Sequence, residues 1–227
     1  MSATLQNIAG NFSTGGSSTL LDGLLGYWKC DEGTGTVLDS LGVYNGTPTN
    51  ITNDSSGAIN SAIAFNGTSS QVAFGTGIKP TTGLSISFWM KTTSTTNSHI
   101  IDQTEYLSDW CGFRIERHSL GITIMFGNNT SGYFDQAFNI TVGDGNWHHI
   151  VMAWNGSTVY LYNDNSKSSA YSWNNTIVYG SGDILYAGSS GSALYYTGSL
   201  DEIAIYNRAL TDAEVNSYYI KTPYPFS

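Results

Sequence analysis

Charge is what this chain has least of. Asp, Glu, Lys and Arg make up 11% of its 227 residues, against roughly 25% in ordinary soluble proteins. Eight residues are Lys or Arg and seventeen are Asp or Glu, for a formal net charge of −9. A nucleic-acid footprint needs clustered cations that release counterions, so nucleic acid is excluded as a partner. The same deficit disfavours anionic membrane surfaces. No apolar run reaches the roughly 18–20 residues of a membrane-spanning helix, so membrane insertion is excluded too. Residues 1–10 carry no basic region followed by an apolar stretch, and do not read as a secretory signal. Cysteine is scarce: Cys30 and Cys111 are the two in the chain. Without a leader, free buried thiols are favoured over a bridge between them. The Asn-x-Ser/Thr triplets at Asn45 and Asn66 then read as composition, not as glycan acceptors.

What remains is a chain 40% hydrophobic and 13% aromatic, with 26 glycines and 4 prolines. Its polarity comes from Ser, Thr, Asn and Tyr. That suits one β-rich domain, since all-β sandwiches run to roughly 200–250 residues as one unit. Residues 1–22 include a Ser/Gly-rich stretch from Ser13 to Thr19 and read as an N-terminal arm. Residues 23–220 read as the sandwich, and 221–227 as a tail. Short apolar runs separated by turn residues predict strands opening at Leu24, Ser61, Gln71, Leu84, Gly112, Gly121, Trp147, Ser157, Ile184 and Gly198. Alternation places Leu84, Ile86 and Phe88 on one face, and turns Phe113 and Ile115 inward with Arg114 and Glu116 outward. One short helix is predicted after Thr211, which forms a capping box with Glu214. Val215 and Tyr218 are its apolar stripe. The fold class is all-β: a two-sheet antiparallel jelly-roll sandwich with one short C-terminal helix and an extended N-terminal arm.

Seven segments occur together and in order: Gly26–Gly35, Asp39–Thr47, Ala62–Val72, Ser85–Lys91, Asn146–Trp154, Val159–Asp164 and Gly198–Val215. In this they resemble the concanavalin A-like lectin/glucanase superfamily, in its laminin-G-like branch. The resemblance spans residues 24–219 and implies a jelly roll whose members bind glycans, proteins or calcium, or act as spacers. Fold alone does not choose among these. For calcium, the resemblance implies loop oxygens from Asp31, Asp39, Asn45, Asn66 and Asp201. Against that, Asn66 to Gln71 carries Asn and Ser where the family places Asp, which lowers the local negative charge. The competing reading is that Asp39 and Asn45 stabilise turns.

Related glycan hydrolases carry carboxylates at alternate positions of one strand, suited to an acid and nucleophile about 5–5.5 Å apart. No Glu-x-Asp-x-(x)-Glu run is present. Asp31-Glu32 and Asp201-Glu202 are adjacent, so on a strand they face opposite ways. Asp102, Glu105 and Asp109 read as loop residues. The expectation is therefore that the chain is not an enzyme. His148 and His149 are likewise neighbours on a strand and cannot share an ion; the resemblance makes them structural.

A sugar needs aromatic surface beside amides and carboxylates. Tyr106, Trp110, Tyr133, Trp173 and Tyr195 stand in loop-like segments with that mixture, and loops at sandwich ends commonly bind. They could equally pack over sheet edges or between subunits. Trp28, Trp89, Trp147 and Trp154 are assigned to the core. The resulting expectation is a non-catalytic glycan-binding and structural surface protein. Its setting is the surface of a phage or virus particle, as fibre, spike or capsid decoration. The arm would hold other virion proteins, the chain would form a homo-oligomer, and the sandwich would meet cell-surface glycan. The alternatives are a decoration protein with no ligand, and a calcium-dependent carbohydrate-binding module of a larger secreted protein, extracellular or at the cell surface.

Overall fold

The computed structural model describes residues 19–106, 109–130 and 132–221, except for the Thr19 and Tyr106 side chains. The arm up to residue 18 and the tail beyond 221 lie outside the described residues.

A 3-10 turn, Thr19–Leu21, precedes sixteen strands and one helix among the described residues. The strands are β1 Leu24–Trp28, β2 Thr47–Thr49, β3 Thr52–Asp54, β4 Ala62–Asn66, β5 Gln71–Ala73, β6 Leu84–Lys91, β7 Ser98–Tyr106 and β8 Trp110–His118. They continue with β9 Gly121–Asn128, β10 Phe134–Asn139, β11 Trp147–Trp154, β12 Thr158–Asn163, β13 Ser166–Lys167, β14 Tyr171–Ser172, β15 Tyr186–Ala187 and β16 Thr197–Tyr206. Helix α1 is Asp212–Tyr219.

All strand pairs are antiparallel. One sheet runs β13-β12-β11-β6-β16-β4-β3, with β1 added to β16 and β14 to β12; the other runs β10-β9-β8-β7-β15-β5-β2. The predicted two-sheet sandwich is what the chain forms. Its main core lies between the sheets and includes Trp28, Phe65, Phe88, Phe113, Ile115, Phe126, Met152, Trp154 and Ile205. Period two operates as expected on β8, where Phe113 and Ile115 are buried while Arg114 and Glu116 are half-exposed. Cys30 and Cys111 are buried free thiols.

A second apolar cluster covers the outer face of the first sheet. Tyr27, Val151, Ala153, Tyr162, Ala204 and Tyr206 face α1, which contributes Val215 and Tyr218. The capping box at Thr211 is present, with Glu214 amide donating to the Thr211 hydroxyl and Thr211 amide to the Glu214 carboxylate. This cover explains why β6 is buried on both faces. Two hydroxyls beneath it find partners: Ser85 Oγ accepts from Leu210 N at 2.9 Å, and Ser87 Oγ lies 2.9 Å from His149 Nε2, while His149 Nδ1 has none.

Four sequence expectations need correction. Leu20, 3% exposed, belongs to the second cluster, so the packed unit takes in the turn at 19–21 that had been given to the arm. Asp102 and Glu105 lie on strand β7, not in a loop; a register shift between His99 and Ile101 hides the alternation. Trp147 is not core: it sits at the rim, with its indole donating to Ser56 O at 2.9 Å and Lys91 4.8 Å above its ring. Trp89 is buried, but on the outer face, stacked on Tyr219 of α1.

Candidate functional site

The outer face of the second sheet has no helix over it among the described residues. Strand register lines up Asp135, Met125, Arg114, Asp102, Tyr186, Ala73 and Thr47 in one row across all seven strands. Where this row crosses β7 and β15, the loop before β15 rises beside it. The result is a cleft of about 170 Å³ lined by Asp102, Thr104, Glu105, Asp183, Tyr186 and Ser190, among others.

Strand pairing builds one wall. Asp102 Oδ1 accepts from Thr104 N at 2.9 Å and Thr104 Oγ1 at 3.0 Å, while Oδ2 lies 2.6 Å from His99 Nδ1. The loop builds the other. Asp183 Oδ2 accepts from Gly180 N at 2.6 Å, and the buried Gln103 amide donates to Asp183 O at 3.2 Å. Asp183 Oδ1 and Gln103 Oε1 are buried and have no hydrogen-bond partner. The Glu105 carboxyl lies beside Asp183, and that neighbour, together with desolvation, raises the Glu105 pKa against the pull of Lys79. Gly180 permits the approach, because a Cβ there would lie 1.8 Å from Glu105 Oε2 and 2.5 Å from Asp183 Oδ1. Lys79 Nζ holds the same turn by donating to Gly180 O at 2.5 Å. Tyr186, half-buried, rests on Gly191, where a Cβ would come within 2.8 Å of its ring. The cleft therefore offers a spare carboxylate oxygen on Asp183, hydroxyls and one aromatic ring, a set that matches a ligand rich in O–H donors.

The five aromatic residues singled out from the sequence do not form one site. Trp173 is the clear correction: it is 6% exposed and packs in the core, 5.0 Å between ring centres from both Phe126 and Trp154. Its segment folds inward and fills the sandwich. Trp110 is half-buried, beneath Arg114 at 5.7 Å, at the β7–β8 turn. Tyr106 pairs with it through the backbone, and the Tyr106 side chain lies outside what is described. Tyr133 is 51% exposed in the loop before β10. Tyr195 is half-buried at the other end of β7, where the preceding Leu194 carbonyl accepts from His99 N at 2.8 Å.

The five oxygen-bearing residues do not converge either. Asp39 accepts from Tyr27, Leu41, Val43 and Tyr44 amides at 3.0–3.1 Å, which fills both oxygens, and Asn45 Oδ1 accepts from Asp39 N. Asn66 Oδ1 accepts from the amides of Thr68, Ser69 and Ser70. These three organise turns. Asn66 also pairs with Thr197, four residues along β16 from Asp201, roughly 13 Å away at strand rise.

Asp31 and Asp201 do come together. Asp31 accepts from Ser61 N and Asn60 Nδ2, and Asp201 Oδ2 accepts from Ile59 N in the same loop. A bulge between Asp201 and Ala204, with Glu202 at φ 52°, interrupts the alternation, so Asp201 and Glu202 are both buried. Desolvation, reinforced by Asp31, pushes Asp201 up to about 8 and Glu202 to about 7, while the Tyr27 hydroxyl donates to Glu202. Among the described residues no three His, Cys, Asp or Glu side chains are arranged to hold a metal ion. The five residues therefore do not fit calcium as one set. His148 is held by Asp144 and Asp164 while His149 faces Ser87, so the two imidazoles serve separate partners.

Sequence reasoning missed Asp183 and Tyr186. The Gly182-Asp183 turn ahead of the strand at Ile184 was its one visible trace.

A two-sheet jelly roll with an open outer face defines a lectin-type β-sandwich. The chain belongs to the concanavalin A-like lectin/glucanases superfamily, whose Laminin G domain profile matches residues 66–216. No curated protein matches the sequence significantly. Among solved structures, the fold is shared with domain 4 of an extracellular arabinanase from Geobacillus stearothermophilus, solved with arabinotriose. That match has 21% identity and a TM-score of 0.68, and covers 86% of this chain and 97% of that one. It is shared also with the binding domain of Paraclostridial Mosquitocidal Protein 1, at 17% identity and TM-score 0.74, over 88% of this chain and 52% of that one. A botulinum neurotoxin serotype D ligand-binding domain, solved with N-acetylneuraminic acid, matches at 13% identity and TM-score 0.69 over 90% and 52%. The chain thus spans about half of each toxin domain.

Proposed function

We propose that the chain is a non-catalytic carbohydrate-binding module whose sugar site is the cleft between β7 and β15. One observation carries this reading: the buried, unpartnered Asp183 Oδ1 shares a cleft with Glu105, Asp102, Thr104 and the Tyr186 ring at the helix-free sheet face. A buried polar atom without a partner costs about 1–3 kcal/mol, and a sugar hydroxyl would supply the missing donor. An arabinanase domain of nearly the same extent holds arabinotriose, which supports a glycan as the ligand. The non-catalytic reading is supported by the close approach of the Glu105 and Asp183 carboxylates at Gly180. Carboxylates in such an approach stand closer than the roughly 5–5.5 Å of a retaining hydrolase.

The low charge and the Ser/Gly-rich stretch ahead of the sandwich support a place on the surface of a phage or virus particle. There residues 1–22 would anchor a homo-oligomer and the cleft would meet cell-surface glycan. A second reading, a module of a larger secreted protein, is favoured by the 97% coverage of the arabinanase domain.

The test is a glycan array followed by titration of the best ligand. Binding should fall at least tenfold in Asp183→Asn and in Glu105→Gln, with an unchanged melting temperature. An array on which the folded protein binds nothing would overturn the module reading and leave a ligand-free decoration protein.

A further inference from the structure

β8 runs from Trp110 to His118, and at its far end a second cavity opens. It holds about 480 Å³ between the β8–β9 turn and the loop 139–144, and its lining includes Thr95, Arg117, Ser119, Leu120, Asn139 and Thr141. That is within the range of roughly 300–1,000 Å³ typical of ligand pockets.

Arg117 is the unusual member. It follows Phe113 and Ile115 in the inward-facing parity of β8 and is 3% exposed. A guanidinium has five N–H donors. Here Nη1 donates to Gly121 O at 3.1 Å, and the buried Nε has no partner. Nη2 lies toward Gly143, another lining residue, where a Cβ would come within 2.6 Å of it. Among the described residues no carboxylate pairs with Arg117. Burial alone lowers its pKa, and Tyr196 is the one ionisable group that works against this.

A buried cation without a counter-charge is costly by several kcal/mol, and a bound oxyanion removes that cost. Asp144 also lines the cavity, but its carboxylate is engaged by Asn146 N at 2.9 Å, Asn146 Nδ2 at 3.0 Å and His148 Nε2 at 3.0 Å. The other polar linings, Thr95, Ser119, Asn139 and Thr141, suit a hydroxylated ligand. Leu120, 65% exposed, gives an apolar edge.

We infer that this cavity binds an acidic sugar, with the carboxylate of a uronic acid unit against Arg117 and its ring between Leu120 and the Ser119 and Thr141 hydroxyls. The anion site stands on the cavity and Arg117; the choice of a sugar as carrier rests on the glycan-binding reading. Arg117 pairs better with a carboxylate than a lysine would, because its planar fork matches the two oxygens.

The full chain is titrated calorimetrically with digalacturonate, with the neutral galactose disaccharide and with sodium sulfate. Digalacturonate should bind saturably and at least tenfold more tightly than either of the others. Arg117→Met should abolish that binding. Ser119→Trp, at an exposed lining position, should block it while Arg117 and the melting temperature stay as they are, which decides the matter if Arg117→Met does not fold. Asp183→Asn in the β7–β15 cleft should leave digalacturonate unaffected, so failure of one site is distinguishable from failure of the other. Sulfate binding as tightly as digalacturonate would overturn the sugar assignment. Equal binding of the neutral disaccharide, or uronate binding that survives both Arg117→Met and Ser119→Trp, would overturn the site itself.

Discussion

The two outer faces of this sandwich are treated in opposite ways. On the first sheet, α1 and the turn at Leu20 cover β6, β11 and β16, and hydroxyls such as Ser85 and Ser87 find partners beneath them. On the second sheet, Arg114 and Glu116 stay half-exposed, and Asp183 Oδ1 in the adjoining cleft lacks a partner. One face is closed by the chain's own elements, with His149 Nδ1 beneath them left unpartnered, and the other keeps charged side chains half-exposed. The difference teaches that stability and recognition can be divided between two sheets of the same class, because only one of them receives a helix.

That division can be broken most severely from the closed side. Tyr218 is 1% exposed and shares a hydroxyl contact of 2.5 Å with Tyr206. Tyr218→Ala should cost about 3–5 kcal/mol by urea unfolding, the usual range for a large aromatic truncated in a core. Arg114→Ala on the open face should stay within about 0.5 kcal/mol. Equal losses would remove the distinction between the faces.

The two kinds of carboxylate sharpen it next. Asp39, saturated by four amides, should lose about 2–4 kcal/mol on Asp39→Ala, since several partly buried donors are orphaned together. Asp201 behaves in the reverse sense. Its pKa is raised to about 8 by burial, above the roughly 3.9 of an unfolded Asp. The folded state therefore holds its proton longer, and stability declines as pH rises from about 4 to about 8. Asp201→Asn keeps an oxygen for Ile59 N and removes the ionisation. It should be neutral near pH 4 and stabilising by about 2 kcal/mol or more at pH 8, so a melting-temperature profile parallel to the parent's would refute this. The smallest effect concerns calcium. Because Asp39, Asn45 and Asn66 are engaged in turns, millimolar Ca²⁺ and a chelator should give the same melting temperature. A rise with Ca²⁺, which a native-state ligand produces by mass action, would restore a site at Asp31 and Asp201.

Most of the architecture was legible. Alternation at Phe113 to Glu116, the capping box at Thr211 and Glu214, and the ordered run of family segments each pointed to the element that formed. β7 was not, because a register shift at His99 and a run holding Asp102 and Glu105 disguise its period. Of the cleft, Glu105 and Asp102 were visible but placed in a loop, and Asp183 and Tyr186 went unremarked. Trp173 looked like a loop platform because it follows β14, a strand two residues long, and belongs to no strand itself.

By itself the sequence determined the strands with clean period two and the helix with its cap, since these depend on neighbours a few residues apart. Tertiary structure alone decided which carboxylates meet. Glu105 reaches Asp183, Asp31 reaches Asp201, and Arg117 is left without a counter-charge because strand order and a bulge bring together residues far apart in the chain. No local pattern encodes that pairing. Burial then sets the chemistry, since the same Asp that binds four amides at residue 39 holds its proton to about pH 8 at residue 201.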